Sequence, residues 1–369
     1  MKKILHIPNY YPPHHGGIED VCYNIVRNTV DAEQKVICFS DNKKAANDNI
    51  EGIEVTRCGC FAKIHSQSLS FSYMINLARI LKDFNPDIVH FHAPNPLISI
   101  YLLILLPKHT RLIVHWHSDI VEQKIIYSFY KGIEKKLLCR ANKIIITAPC
   151  YLDKSKPLQS HRDKCQVIAN VVSEDKLTLK EEDYRQIQEL KQGNPILFFI
   201  GRHVPYKGIE YLIKAETLIK SKCQILIAGD GPLTAQLIAS TKSSRIKFIG
   251  KINDDELRQY FYASYAFVFP SITKNEAFGI ALAEALYCGL PAINFTIEGS
   301  GVNWVSPNGI SGIEVENSNA EKFAEAIDCI LSDKLLHDRL SLGAVQYSHK
   351  NFTLDSLSVA INELYRSII

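Results

Sequence analysis

The chain has 369 residues, 46 % of them apolar and 22 % charged, with eighteen Gly, fifteen Pro and a formal net charge of +3. This length suits two domains of about 150–200 residues rather than one core, and the composition excludes a disordered, collagen-like or coiled-coil chain. Residues 1–170 hold 22 Lys+Arg against 15 Asp+Glu, a balance of +7, while the remainder holds 20 against 24, a balance of −4; the basic half is suited to face an anionic partner, although ordinary drift in surface composition explains the difference equally well.

The opening Met1-Lys2-Lys3 resembles the basic start of an export signal. His6 and Pro8 interrupt the apolar run behind it, so Lys3–Pro8 reads as a first strand. Further strands are expected at Lys35–Ser40, Glu54–Cys58, Asp87–His92, Arg111–His117, Lys143–Thr147 and Cys165–Ala169. Helical stretches separate most of them, such as Ile18–Asn28, which carries Ile18, Val21, Cys22, Ile25 and Val26 on one face. The longest apolar run, Leu97–Leu106, falls short of the ~20 residues that a membrane span needs. Ten scattered cysteines form neither a metal pattern nor a disulfide framework, and are expected to be reduced cytosolic thiols.

The polar, charge-rich stretch Ser173–Asn194 reads as a linker with a short helix. A second series of strands follows, at Ile196–Ile200, Gln224–Ala228, Ile246–Ile249, Ala266–Pro270 and Pro291–Phe295. Asn253 and Glu256 have the spacing of a capping box, and the last ~50 residues are helical by pattern. Apolar runs alternating with amphipathic helices predict an α/β chain of two doubly wound, Rossmann-like domains, with ligand binding in a cleft between them at the carboxyl ends of the strands. The expected boundaries are 1–172 for an N-terminal domain, 173–194 for the linker and 195–350 for a C-terminal domain. Residues 351–369 are expected to form a helix that packs back on the first.

Several segments are candidates for chemistry. Gly201-Arg202-His203-Val204-Pro205-Tyr206-Lys207-Gly208 joins a strand to a helix, and its planar and point-like cations suit a diphosphate; the alternative is a solvated turn. Its spacing is neither a dinucleotide fingerprint nor a P-loop. Gly229-Asp230-Gly231-Pro232 reads as a tight structural turn. Glu276 and Glu284, eight residues apart, are placed at the start of a helix and two turns inside it, roughly 12 Å apart along the axis. Glu284 beside alanines suits ribose hydroxyls, or else an internal salt bridge. In Val114-His115-Trp116-His117-Ser118-Asp119, alternation puts His115 and His117 on one face. Metal ligation, a satisfied core histidine, and sugar or acid–base contact all remain open there. Gly16 and Gly17 give a second permissive helix start. Lys124, Lys131, Lys135, Lys136, Arg140 and Lys143 cluster in and just after an amphipathic stretch over 122–140, either a solvated face or a surface for anionic lipid; no nucleic-acid motif accompanies it.

Taken in order, Gly16-Gly17-Ile18-Glu19, His117-Ser118-Asp119-Ile120, Gly201-Arg202 with Lys207-Gly208, Gly229-Asp230-Gly231-Pro232, and Glu276 with Glu284 followed by Cys288-Gly289-Leu290-Pro291 resemble the GT-B glycosyltransferases of family 4. The resemblance runs from about residue 3 to about residue 350. The segment around His115–Lys124 is similar to mannosyltransferases of O-antigen and other surface polysaccharides. Asn170 stands between Ala169 and Val171, where that family usually has a Pro-Asn-Gly turn.

The resemblance implies a role for each matching residue. Arg202 and Lys207 neutralise the donor diphosphate, and Gly17 lies in the loop near its phosphate. Glu276, with the amides of Phe278 and Gly279, binds the donor sugar; His117 contacts that sugar, and Glu284 binds the ribose. His117 and Glu276 are thus the residues nearest the chemistry. It further implies a retaining hexosyltransferase with an N-terminal acceptor domain, using a UDP- or GDP-sugar donor and a lipid-linked saccharide acceptor. No metal or other cofactor is expected, because side-chain cations and helix-start amides stabilise the leaving diphosphate. The expected mode is front-face attack, with the leaving phosphate helping to take the acceptor proton. The expected location is cytoplasmic, peripheral to the inner face of the membrane through the basic helix. A nucleotide-sugar epimerase on the same fold is the alternative.

Overall fold

The computed structural model describes residues 1–14, 16–64, 67–119 and 124–368, with the backbone alone at 64, 67 and 124–129. The chain forms two compact units, Met1–Ala169 with Leu357–Ile369, and Asn170–Ser356.

The first unit carries β1 (Lys2–Ile7), β2 (Ala32–Phe39), β3 (Ala46–Ile50), β4 (Ile53–Cys58), β5 (Ala62–Ile64), β6 (Gln67–Leu69), β7 (Ile88–Ala93), β8 (Arg111–Trp116), β9 (Lys143–Ile146) and β10 (Cys165–Val167). Eight of these form one sheet in the order β10-β9-β8-β7-β1-β2-β4-β3, and β5 pairs with β6 in a separate antiparallel ribbon. All neighbours in the large sheet are parallel except β3, which runs antiparallel to β4 at the edge. The central strands are largely buried because helices cover both faces: Ile4, Leu5, Val36, Ile37, Val89, Phe91, Leu112 and Ile113 are fully buried. Helix Gly17–Asn28 buries Val21, Cys22, Ile25 and Val26, the face its spacing predicts.

The second unit carries β11 (Ile196–Ile200), β12 (Gln224–Ala228), β13 (Ile246–Gly250), β14 (Ala266–Phe269), β15 (Ala292–Phe295) and β16 (Gly312–Val315). They form an all-parallel sheet in the order β13-β12-β11-β14-β15-β16. Counted from its own first strand this is the order 3-2-1-4-5-6 of the Rossmann fold, with the direction of winding reversing between β11 and β14. In the first unit the reversal falls between β1 and β7. Loops leaving the carboxyl ends of those strand pairs are where α/β sheets bind ligands.

The chain divides at Ala169/Asn170, and the segment expected as a linker, 173–194, is built into the second unit. Its helix Asp183–Lys191 is held by Asp183, fully buried, whose carboxylate accepts from Arg258 Nε at 2.6 Å, Arg258 Nη2 at 3.1 Å and Gln259 Nε2 at 2.9 Å. The Arg258 guanidinium pulls the Asp183 carboxyl down to about 2. The helix Asp254–Ala263 that bears Arg258 starts with the capping box read from the sequence: Asn253 Oδ1 accepts from the Glu256 amide, and Glu256 Oε2 accepts from the Asn253 amide, both at 2.9 Å. Within the first unit, the end of helix Leu354–Ser367 docks through Asn362, whose amide donates to Asn28 O at 2.8 Å.

Candidate active site

In the second unit the loops after β11 and β14, on either side of the winding reversal, bring Lys207 and Glu276 together. Lys207 ends a 3₁₀ turn, Pro205–Lys207, and its Nζ forms an ion pair with Glu276 Oε2, both side chains being 11 % exposed. Ser271 Oγ donates to the same carboxylate oxygen at 3.0 Å, and Ser300 Oγ donates to the Glu276 carbonyl. The ammonium lies 5.1 Å from the centre of the Phe269 ring. The next residue, Gly208, has φ +61, and a Cβ there would stand 2.1 Å from Pro270 O, so the close approach of the two loops requires glycine. Arg202 is exposed and makes no ion pair with a described residue. The loop therefore presents one nearly dehydrated cation, shared with a carboxylate, and one open to solvent.

The Gly229-Asp230-Gly231-Pro232 turn packs against this loop by backbone contact. His203 N donates to Asp230 O at 2.8 Å and Leu233 N to His203 O at 3.1 Å. A Cβ on Gly231 would fall 2.5 Å from His203 O, so the segment is the supporting turn its sequence suggested.

Glu276 is not on the helix that its spacing to Glu284 predicts. The helix is Ile280–Tyr287, begun by Gly279 at φ +85, and Glu276 sits in the loop before it. The estimate of 12 Å along one axis therefore does not apply. Glu284 lies within the helix and is half-buried. The Phe278 ring is 3 % exposed and packs edge-on to Trp304 and Phe352, so only its backbone is free to serve a ligand.

In the first unit His117 follows β8. It is buried, and burial lowers its pKa to about 3. Its Nε2 lies 2.9 Å from His92 Nδ1 on β7, and its ring stacks on His115 with centroids 4.2 Å apart. His90 Nε2 meets His115 Nδ1 at 3.3 Å, and His90 Nδ1 meets the Tyr365 hydroxyl at 2.6 Å. His6 on β1 extends the cluster, its ring 5.6 Å from that of His90, with burial lowering its pKa to about 4. Parallel register explains the grouping, since His6 is the Cα partner of His90, and His92 of His115. His6, His90 and His92 were not among the residues the sequence marked for chemistry, yet His90 and His92 show the same alternation as His115 and His117. What the sequence lacked was the strand order that places β1, β7 and β8 side by side.

Two groups in this cluster, His6 with Cys22 and His92, and His90 with His92 and His115, bring possible metal donor atoms within 4.8 Å of one another. Asp119 belongs to neither. Its Oδ1 accepts from Trp116 Nε1 at 3.0 Å and Ser155 Oγ at 2.6 Å.

Gly17 opens helix Gly17–Asn28, which follows the loop leaving the carboxyl end of β1, and is exposed. The basic helix is observed as Lys124–Arg140, and residues 122 and 123 of the expected stretch lie outside the described residues. Lys131, Lys135 and Lys136 are exposed, and Tyr130, Leu137 and Leu138 are buried. Arg140 turns inward, donating to Pro107 O at 2.9 Å and Thr110 O at 2.7 Å.

Comparison with known proteins gives this arrangement its class. Residues 15–176 match the family described as Glycosyltransferase Family 4, and residues 180–346 match Glycosyl transferases group 1. The chain is a GT-B glycosyltransferase built from the two domains of this family. It is 26 % identical to the O-antigen chain mannosyltransferase C of Escherichia coli, over 100 % of this chain and 99 % of that one. It is 27 % identical to the D-rhamnosyltransferase WbpZ of Pseudomonas aeruginosa, over 88 % of this chain and 85 % of that one. Among solved structures, HepE of Anabaena in complex with UDP and glucose superposes with a TM-score of 0.77 at 18 % identity, covering 100 % of both chains. No helix among the described residues is long and apolar enough to cross a membrane.

Proposed function

We propose that this glycosyltransferase moves a hexose from a UDP- or GDP-sugar to a lipid-linked saccharide during synthesis of an O-antigen or related surface polysaccharide, with retention at the anomeric carbon and without a metal. The observation that carries the reading is the Lys207–Glu276 pair on the two loops flanking the winding reversal of the second unit. The names of the O-antigen mannosyltransferase and the D-rhamnosyltransferase support the substrate class.

Cleaving the sugar–phosphate bond builds negative charge on the departing diphosphate. Lys207 and Arg202 supply positive charge there. Glu276, held by Ser271 and Lys207, orients sugar hydroxyls together with the Phe278 and Gly279 amides, and Glu284 holds the ribose. With its carboxylate engaged by Lys207, Glu276 is a binding group rather than a nucleophile. Retention then follows from front-face attack, the leaving phosphate taking the acceptor proton. The three exposed lysines of helix Lys124–Arg140 support contact with the anionic membrane that carries the acceptor, and with it a location at the inner face of the cytoplasmic membrane.

The test is to incubate the protein with UDP-glucose, UDP-galactose or GDP-mannose and a lipid-linked saccharide in EDTA, and to read the product's anomeric configuration by NMR. An axial product from an axial donor is expected at full rate. Inversion, dependence on Mn²⁺ or Mg²⁺, or conversion of the donor sugar without acceptor would each contradict the reading.

A further inference from the structure

The histidine pair at the end of β7 and β8 determines which face His117 shows to a ligand. His117 Nε2 is occupied by His92 Nδ1 at 2.9 Å, so Nδ1 is the ring nitrogen left for an outside partner. Burial holds both rings neutral, leaving one proton to each and two ways to arrange them. If His117 donated from Nε2, His92 would carry its own proton on Nε2, which is buried and has no hydrogen-bond partner. If His92 donates from Nδ1, the orphaned atom is a bare lone pair. A buried N–H without an acceptor is the rarer and costlier of the two. Stacking fixes the ring planes: His92 lies 4.8 Å from His90 and 5.1 Å from His115, and His117 lies 4.2 Å from His115.

We infer that His92 is a positioning residue that locks His117 as the Nδ1–H tautomer, so that His117 meets its ligand as a hydrogen-bond donor and not as a base. The role toward a ligand rests on the proposed reading of His117 as a donor-sugar contact; the tautomer itself does not. The matching partner is an oxygen lone pair, on a sugar hydroxyl or a phosphate.

The experiment uses the full chain with ¹⁵N-labelled histidine. Long-range ¹H–¹⁵N correlation should place the proton of His117 on Nδ1 and that of His92 on Nδ1. His92→Leu should leave His117 as a mixture of tautomers, and His92→Asn, whose amide N–H replaces the donor, should restore one form. Adding UDP or GDP alone should shift the His117 Nδ1 resonance if the partner is phosphate, and only the sugar nucleotide should shift it if the partner is a hydroxyl. Turnover of the donor sugar should fall about tenfold in His92→Leu and recover to within about threefold in His92→Asn. An Nε2–H tautomer of His117 in the wild type, or a tautomer indifferent to His92, overturns the inference. So does equal turnover in both variants. Wild-type turnover in His117→Ala, with the tautomer as described, would instead remove the contact assigned to His117.

Discussion

Lys207 and Glu276 meet where neither has much water, and that shapes what each variant should do. In the proposed reading Glu276 touches the part of the donor whose position changes as the bond breaks, whereas Glu284 holds a ribose that is bound alike before and during reaction. Glu276→Ala should therefore bind UDP or GDP almost normally and turn over the sugar donor poorly, while Glu284→Ala should lose about 1–3 kcal/mol of nucleotide affinity. Calorimetry beside steady-state rates measures both, and the opposite pattern would mean the two roles are exchanged. Both residues were legible as site candidates because carboxylates beside alanines and glycines stand out. Their geometry was not, because Gly279 at φ +85 starts the helix four residues later than the spacing suggested. Ser271 and Ser300, which fix Glu276, carry no sequence signal beyond their type.

At the level of elements, the stretch 173–194 shows how composition misleads. Its charge reads as a linker with a short helix, yet the stretch is anchored by Asp183 to Arg258, which is 1 % exposed. Arg258→Ala leaves the Asp183 carboxylate buried without its cation and should destabilise the second unit by about 3–5 kcal/mol in urea melts. Because the Asp183 pKa is held low, its contribution is present above about pH 4 and is lost as pH falls toward about 2. The strands missed from the sequence have comparable causes. β3, Ala46–Ile50, is a polar edge strand exposed over most of its length, and it pairs through the turn at Glu51-Gly52, where φ is positive at both residues. Helix Lys124–Arg140 was expected from its amphipathic pattern, and among its described side chains Lys131, Lys135 and Lys136 are exposed while Arg140 turns inward. Reversing Lys131, Lys135 and Lys136 to Glu should abolish sedimentation with vesicles containing anionic lipid, each charge contributing on the order of 1 kcal/mol at the surface. Unchanged sedimentation would leave the helix a solvated face.

Over the whole molecule, the alternation of apolar runs and amphipathic helices was enough to read two parallel-sheet domains, because strands buried on both faces leave little choice of residue. Strand order was not readable, and with it went the clustering of His6, His90, His92, His115 and His117 in one core. That cluster gives the units different responses to acid. Burial keeps these five histidines neutral, so the unfolded chain takes up protons the fold refuses. The contribution of these histidines to the first unit's stability is thus fully present above about pH 6.5 and is lost as pH falls toward about 4, where His6 titrates, and about 3, where His117 does. The second unit has one such histidine, His203, among its described residues. The two tryptophans divide between the units, Trp116 in the first and Trp304 in the second. Urea melts at pH 7 and 4.5 followed through Trp116 alone, in Trp304→Phe, should lose more stability than those followed through Trp304 in Trp116→Phe. Equal losses would show that the cluster does not govern the acid response.

The central claim is that Lys207, with Arg202, stabilises the departing diphosphate. The direct measurement is the steady-state release of nucleoside diphosphate by Lys207→Ala, beside wild type, with GDP-mannose or UDP-glucose and a lipid-linked acceptor. A preorganised donor aimed at developing charge contributes about 10²–10³ in turnover, so a drop of at least ~100-fold with an unchanged circular dichroism spectrum is the expected result. Turnover within about threefold of wild type would contradict it and place the diphosphate elsewhere.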